Sequence, residues 1–129
     1  MSKDITFFAN IVQCYVENDV ITIGFGDHND APRNYTIITR FDDDEENYLK
    51  GEGPIGIQTN LSIEEYSSAI SSVCLNKNTI SIKINQNVVD NIGVNKIEIE
   101  FDSSAIDVGN LIKYLHLIFD DSHVKLTIL

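Results

Sequence analysis

Gly24-Phe25-Gly26-Asp27-His28-Asn29 opens like the glycine-rich turn that lets a dinucleotide pyrophosphate approach the backbone. The third glycine is missing. The residues that follow have loop composition, so no helix N-terminus is in place to receive a phosphate. Asp27-His28-Asn29-Asp30 carries oxygen ligands densely enough for a calcium loop, but lacks the glycine and the terminal bidentate Glu of that motif. The run Asp42-Asp43-Asp44-Glu45-Glu46 could loosely hold a divalent cation, yet adjacent acids usually point apart. His28, His116 and His123 are scattered, with no Cys or second His at a zinc-ligand spacing. Cys14 paired with a distant His would make a nucleophile, but Cys14 sits in an apolar stretch that favours an inert core thiol. A Ser-His-Asp triad can be drawn in any chain with this many Ser and Asp, so none is assigned. The residues therefore predict no catalytic, cofactor-binding or metal-binding set, and no cofactor.

The charge balance is more informative. Twenty Asp and Glu face nine Lys and Arg, a net charge of −11 on 129 residues. Such a field repels nucleic acid and anionic lipid, and it speeds encounter with basic proteins. Nine cations diluted along the chain make no basic patch, so nucleic-acid and membrane partners are not expected. Binding to another protein is the first functional expectation. The plainer reading is an acidic surface that keeps a small protein soluble. Met1-Ser2-Lys3-Asp4 is not followed by a long apolar run, and no apolar stretch approaches the ~20 residues needed to cross a bilayer. A cytoplasmic protein with Cys14 and Cys74 as reduced thiols is expected.

The elements that would position any site are mostly strands. At 43% hydrophobic residues the chain can bury a core, and its length suits one domain over residues 1–129. Ile5 to Val16 reads as one bent strand or two short ones. Val20–Phe25, Tyr35–Arg40, Ile55–Thr59, Ala69–Leu75, Thr79–Ile84 and Lys96–Phe101 read as strands, and His123–Leu129 as a last one. A turn is expected at Asn18-Asp19, and a short helix from Val88 ending at Gly93. Ser62-Ile63-Glu64-Glu65 has capping-box spacing, so at most one helical turn is expected there. Lys83 could lie across from Glu98 or Glu100. After Ser103-Ser104, the residues Ile106, Val108, Leu111, Ile112, Leu115, Ile118 and Phe119 recur at helical spacing, with Asp107 in the first turn. Gly109 in that helix suggests a close approach by a sheet residue. The predicted fold is α+β: an antiparallel sheet of about six to eight strands with one long C-terminal helix packed on one face.

The order of these segments resembles a bacterial immunity protein, specifically immunity protein family ten of the polymorphic toxin systems. The apolar strand Val20-Ile21-Thr22-Ile23-Gly24-Phe25 followed by Gly26-Asp27 carries part of the likeness. Tyr35-Thr36-Ile37-Ile38-Thr39-Arg40 carries more, as do Tyr66 with Ile70, Val73 and Leu75, and Ile97-Glu98-Ile99-Glu100-Phe101 with the helix that follows. The likeness covers roughly residues 5 to 120. It departs at Ser68-Ala69, where a glycine pair is common. The resemblance implies a non-enzymatic inhibitor of a cognate toxin domain delivered by a neighbouring cell, as in contact-dependent growth inhibition. Many such toxins are nucleases or deaminases, and an acidic inhibitor would suit an active site built for phosphate.

Candidate partner-binding residues follow from charge and from the placing of inhibitory sites on loops. The first set is Asp42, Asp43, Asp44, Glu45 and Glu46, with Tyr48 and Glu52 beside them. The second is Asp27 and Asp30, with Glu64, Glu65 and Tyr66. Their alternative is a solvated, charged connector. For the whole chain, the competing readings are a small ligand-binding domain or enzyme with an unrecognised pocket, and a structural subunit of a larger assembly.

Overall fold

The computed structural model describes residues 3–41 and 55–129. The described strands form two five-stranded sheets. In the first sheet, β1 (Asp4–Phe8), β9 (Lys96–Glu100), β8 (Thr79–Ile84), β7 (Ile70–Asn76) and β10 (Lys125–Ile128) lie side by side in that order. In the second, β2 (Ile11–Glu17), β3 (Val20–Gly26), β4 (Tyr35–Phe41), β5 (Ile55–Thr59) and β6 (Tyr66–Ser67) follow chain order. The second sheet is antiparallel throughout. The first is antiparallel at its centre, but its edge strands β1 and β10 run parallel to β9 and β7. Among the described residues, α1 (Val89–Ile92), entered through a 3-10 turn at Gln86–Val88, and α2 (Val108–Phe119) complete the elements.

Period-two alternation gives each sheet one apolar face. Ile80, Ile82, Ile84, Ile97 and Ile99 of the first sheet are fully buried, and so are Ile21, Ile23, Phe25, Ile38 and Ile57 of the second. These residues join Leu111, Leu115, Ile118 and Phe119 of α2 in one core. The expected single sheet under a long helix is therefore overturned. The helix has 12 residues, about 18 Å at 1.5 Å per residue. It meets mainly β2 and β3 of one sheet and β10 of the other. Two five-stranded apolar faces exceed what so short a helix can cover, so the sheets cover each other.

The chain changes sheets through very short links. β1 leads to β2 through Ala9 and Asn10, with the Ala9 amide donating to the Glu100 carbonyl at 2.7 Å. The stretch Ile5 to Val16 is thus two strands in different sheets. β6 leads to β7 through Ser68 and Ala69; Ser68 takes a left-handed φ of 57° and Ala69 is fully buried. At Asn18-Asp19 both residues have positive φ, 54° and 63°, as a two-residue type I′ hairpin turn requires. Gly93 ends α1 with φ 86°, its amide donating to the Val89 carbonyl at 2.7 Å.

Several local expectations are corrected. Helix α2 starts at Val108, because the Asp102 side chain accepts from the Ser104 amide at 3.0 Å and from its hydroxyl at 2.7 Å, closing a turn where the helix was expected. Asp107 is the N-cap, accepting from the Asn110 amide at 3.0 Å. No sheet residue crowds Gly109; a side chain there would meet only the Asp107 carboxylate, at 3.5 Å. Residues 60–65 form no helical turn, within the expectation of at most one: Ser62 Oγ accepts from the Glu64 amide in a local serine turn. Lys83 lies opposite Lys96, while Ser81 faces Glu98 and Thr79 faces Glu100.

Among the described residues, one charged side chain enters the interior. Arg40, at the inner end of β4, is only 7% exposed. Its Nη1 donates to the Ile118 carbonyl at 2.7 Å and to the Asp120 carbonyl at 2.9 Å. These carbonyls close the C-terminal end of α2, where the helix dipole is negative and acceptors lack intrahelical partners. Arg40 thereby ties α2 to the second sheet.

Candidate partner-binding face

The second sheet turns its other face outward. Its outward rows are Ile11, Gln13, Tyr15 and Glu17 on β2, Val20, Thr22, Gly24 and Gly26 on β3, and Tyr35, Ile37, Thr39 and Phe41 on β4. Gly56 and Gln58 continue the face onto β5. Across the middle run Gln13, Gly24, Ile37 and Gln58 in register. Gly24 offers no side chain, so a slot opens between the β2 and β4 rows, about 9–10 Å apart at ordinary strand spacing. The resulting hollow has a volume of ≈ 280 Å³, at the lower edge of small-molecule sites and suited to one side chain.

The loop 27–34 closes one end of this slot. Asp27 organises the loop: its carboxylate accepts from the Arg33 amide at 3.0 Å, the Asn34 amide at 3.2 Å and the Asn34 side chain at 3.0 Å. Partial removal from water pulls the Asp27 carboxyl up, but the Asn34 and Arg33 hydrogen bonds and nearby His28 outweigh it and hold the group below the usual range. Pro32 folds to 3.4 Å from where a Gly26 side chain would start. Thr22 lines the opposite end. A second hollow on the same face lies around Val20, Thr39, Phe41 and Gly56. There the Glu65 carboxylate accepts from the Thr39 hydroxyl at 2.7 Å and occupies the space above Gly56.

The structure brings some of the expected residues to this face and not others. Asp27 and Asp30 sit on the loop at one end, with Asp30 exposed and Asp27 spent on the loop's own amides. Glu65 lies over the sheet surface. Tyr66 turns the other way, its hydroxyl donating to the Asn91 carbonyl at 3.2 Å and approaching Glu64 at 3.4 Å. Asp42, Asp43, Asp44, Glu45, Glu46, Tyr48 and Glu52 lie outside the described residues. The outward slot around Gly24 was missed. A glycine in the middle of a strand whose outward neighbours are Gln13, Tyr15 and Ile37 was the available signal.

Charge separates the two outward faces. On the strands of the first sheet, Lys83, Lys96 and Lys125 balance Asp4, Glu98 and Glu100. The outward strand rows of the second sheet carry Glu17 and no cation. The described residues hold no group of three His, Cys, Asp or Glu that could take a metal, and no helix is long and apolar enough to cross a membrane. Cys14 and Cys74 are free thiols. Burial pushes the Cys14 thiol up to about 11, with Asp107 adding to the effect, so it is a poor nucleophile.

The family profile described as Immunity protein 10 matches residues 8–109. The match runs from the end of β1 to the first residues of α2, well over half the chain. The chain therefore belongs to the Immunity protein 10 family. No curated protein matches it.

Proposed function

We propose that this immunity protein binds and neutralises a cognate bacterial toxin domain that acts on nucleic acid, covering the toxin's active site in the cytoplasm of the producing cell. Membership of the Immunity protein 10 family carries the reading. The net charge of −11 supports the choice of toxin class. Enzymes that act on nucleic acid hold cationic clefts for phosphates, and an acidic protein complements them. The protein itself performs no chemistry in this reading. It acts within polymorphic-toxin or contact-dependent inhibition systems.

The acidic run Asp42 to Glu46, with Tyr48 and Glu52, is assigned to steering the encounter. Asp30, Glu64 and Glu65 are assigned as further acidic contacts. The test uses the toxin domain encoded beside this chain's gene, produced in the same cells. Growth should be rescued by the wild-type protein, and the two proteins should co-purify. Changing Asp42 through Glu46 to Asn and Gln should slow association about tenfold at low ionic strength, with melting temperature nearly unchanged. Toxicity that persists beside well-expressed protein would sink the inhibitor reading. An unchanged association rate would leave the acidic run a solvated connector.

A further inference from the structure

We propose that the slot over Gly24 is the socket for an arginine side chain of the toxin. The proposal rests on the inhibitor reading for the identity of the partner and on the slot itself for its chemistry.

Three observations carry it. The first is Gly24 itself. It lies in the middle of β3, has no left-handed φ, and nothing lies within 4 Å of where its side chain would start. Glycine inside a strand costs about 0.5–1 kcal/mol against Ala. Neither backbone strain nor crowding among the described residues accounts for it, so the room it leaves among them is room for something else. Gly26 and Gly56 differ: Pro32 approaches the first and Glu65 fills the space above the second.

The second observation is Thr22. Its side chain lines the slot, and the residue is only 6% exposed. The hydroxyl's one hydrogen bond among the described residues is a 3.5 Å contact to the Val20 carbonyl, well beyond good hydroxyl geometry. A part-buried hydroxyl with so poor a partner is free to bond an incoming group. Gln58 adds a second acceptor. Its amide nitrogen is committed to the Ile63 carbonyl at 3.1 Å, leaving the amide oxygen for a donor.

The third is charge and ring chemistry. The slot is lined by Tyr15 and Tyr35 and by no Lys or Arg. Tyr15 is 43% exposed, so ring surface is available at the rim. Aromatic faces attract a guanidinium; Glu17 and Glu65 lie on the same outward face beyond the slot's own lining, and His28 lines its loop end. A planar cation with five donors and no acceptor matches two oxygen acceptors between two rings. An arginine held there is one withdrawn from phosphate binding in the toxin.

Two measurements decide the matter. In the first, acetyl-arginine methylamide is titrated into the labelled protein and backbone amide shifts are followed. Shifts at Thr22, Gly24 and Ile37 should saturate in the millimolar range. They should be absent with acetyl-glutamate methylamide and in Gly24→Val. No shift at these positions would overturn the arginine socket, whatever the protein inhibits. In the second, the toxin domain encoded beside this chain's gene is bound to wild type and to Gly24→Val. The variant should bind at least 100-fold more weakly while melting at the same temperature or higher. Binding within threefold of wild type would overturn the socket and leave the inhibitor reading intact. A wild-type protein that binds no such toxin would remove the inhibitor reading, while the first measurement still decides the slot.

Discussion

Replacing Arg40 by Met removes the one cation that enters the core among the described residues and leaves its shape roughly filled. Two hydrogen bonds disappear, from Nη1 to the Ile118 carbonyl at 2.7 Å and to the Asp120 carbonyl at 2.9 Å. Hydrogen bonds to charged groups contribute about 1.5–3 kcal/mol each. A cation at a partly buried helix C-terminus adds up to ~2 kcal/mol. The thioether returns some packing, so the net loss expected is about 3–5 kcal/mol, in the range for breaking a buried charged contact. Against a total stability of roughly 5–15 kcal/mol, that is a large share. The chain has no Trp, so urea unfolding is best followed by far-ultraviolet circular dichroism. With a slope of about 2 kcal/mol per molar urea, the midpoint should fall by about 2 M. Arg40→Lys keeps the charge and should lose less than half as much. A shift below about 1 kcal/mol in Arg40→Met would show that the second sheet and α2 are held together by apolar contact alone. Arg40 would then be an ordinary surface cation in energetic terms, despite its burial.

Three further outcomes are expected. Leu115 is fully buried in the shared core, so Leu115→Ala should cost about 2–5 kcal/mol in the same unfolding assay; an unchanged midpoint would take α2 out of the core. With Cys74 changed to Ser, native Cys14 should react with iodoacetamide at pH 8 about 100-fold more slowly than in the unfolded chain, because its thiol sits near 11 instead of 9.0. The native state favours the protonated thiol, so this contribution to stability is full below pH 9 and is lost as pH rises from 9 towards 11; equal native and unfolded rates would refute it. Ser68 holds φ 57°, so Ser68→Gly should raise stability by up to about 1 kcal/mol, read as a higher melting temperature.

Strand content was legible where alternation was clean. Ile80-Ile82-Ile84 and Ile97-Ile99 declare a buried face without any knowledge of what buries it. That is also why the second sheet was missed: a period of two names the inward side of each strand and is silent about the cover. The helix start was misplaced because Ile106 falls at helical spacing, while the competing turn depends on Asp102 capturing the Ser104 amide and hydroxyl. The Lys83 register was missed because it depends on where the strands begin to pair, which places Lys83 opposite Lys96. Arg40 was readable only as the polar end of an apolar strand. Its target is 78 positions away at Ile118. At the candidate site, charge drew the eye to the acidic runs. Gly24 was weighed as part of a failed phosphate loop and as one residue of an apolar strand, although its place in mid-strand was already a reason to ask what lies above it.

The parallel edge strands have a consequence for the order in which this chain assembles. β1 pairs with β9, joining Asp4 to Lys96 across 96 − 4 = 92 positions. β10 pairs with β7, joining Lys125 to Ser72 across 125 − 72 = 53 positions. The sheet with the slot needs no such reach, because every strand in it pairs with its neighbour in sequence. Closing long loops carries an entropy cost that local hairpins avoid, and non-local pairing is slow. On a ribosome, the β2–β6 meander can form while the C-terminal third of the chain is still being made. Its apolar inner face must then wait for the other sheet, which is complete only when residues 125–128 have emerged. The sheet that carries the slot is thus shaped early, and the shared core closes only once residues 125–128 have joined the other sheet.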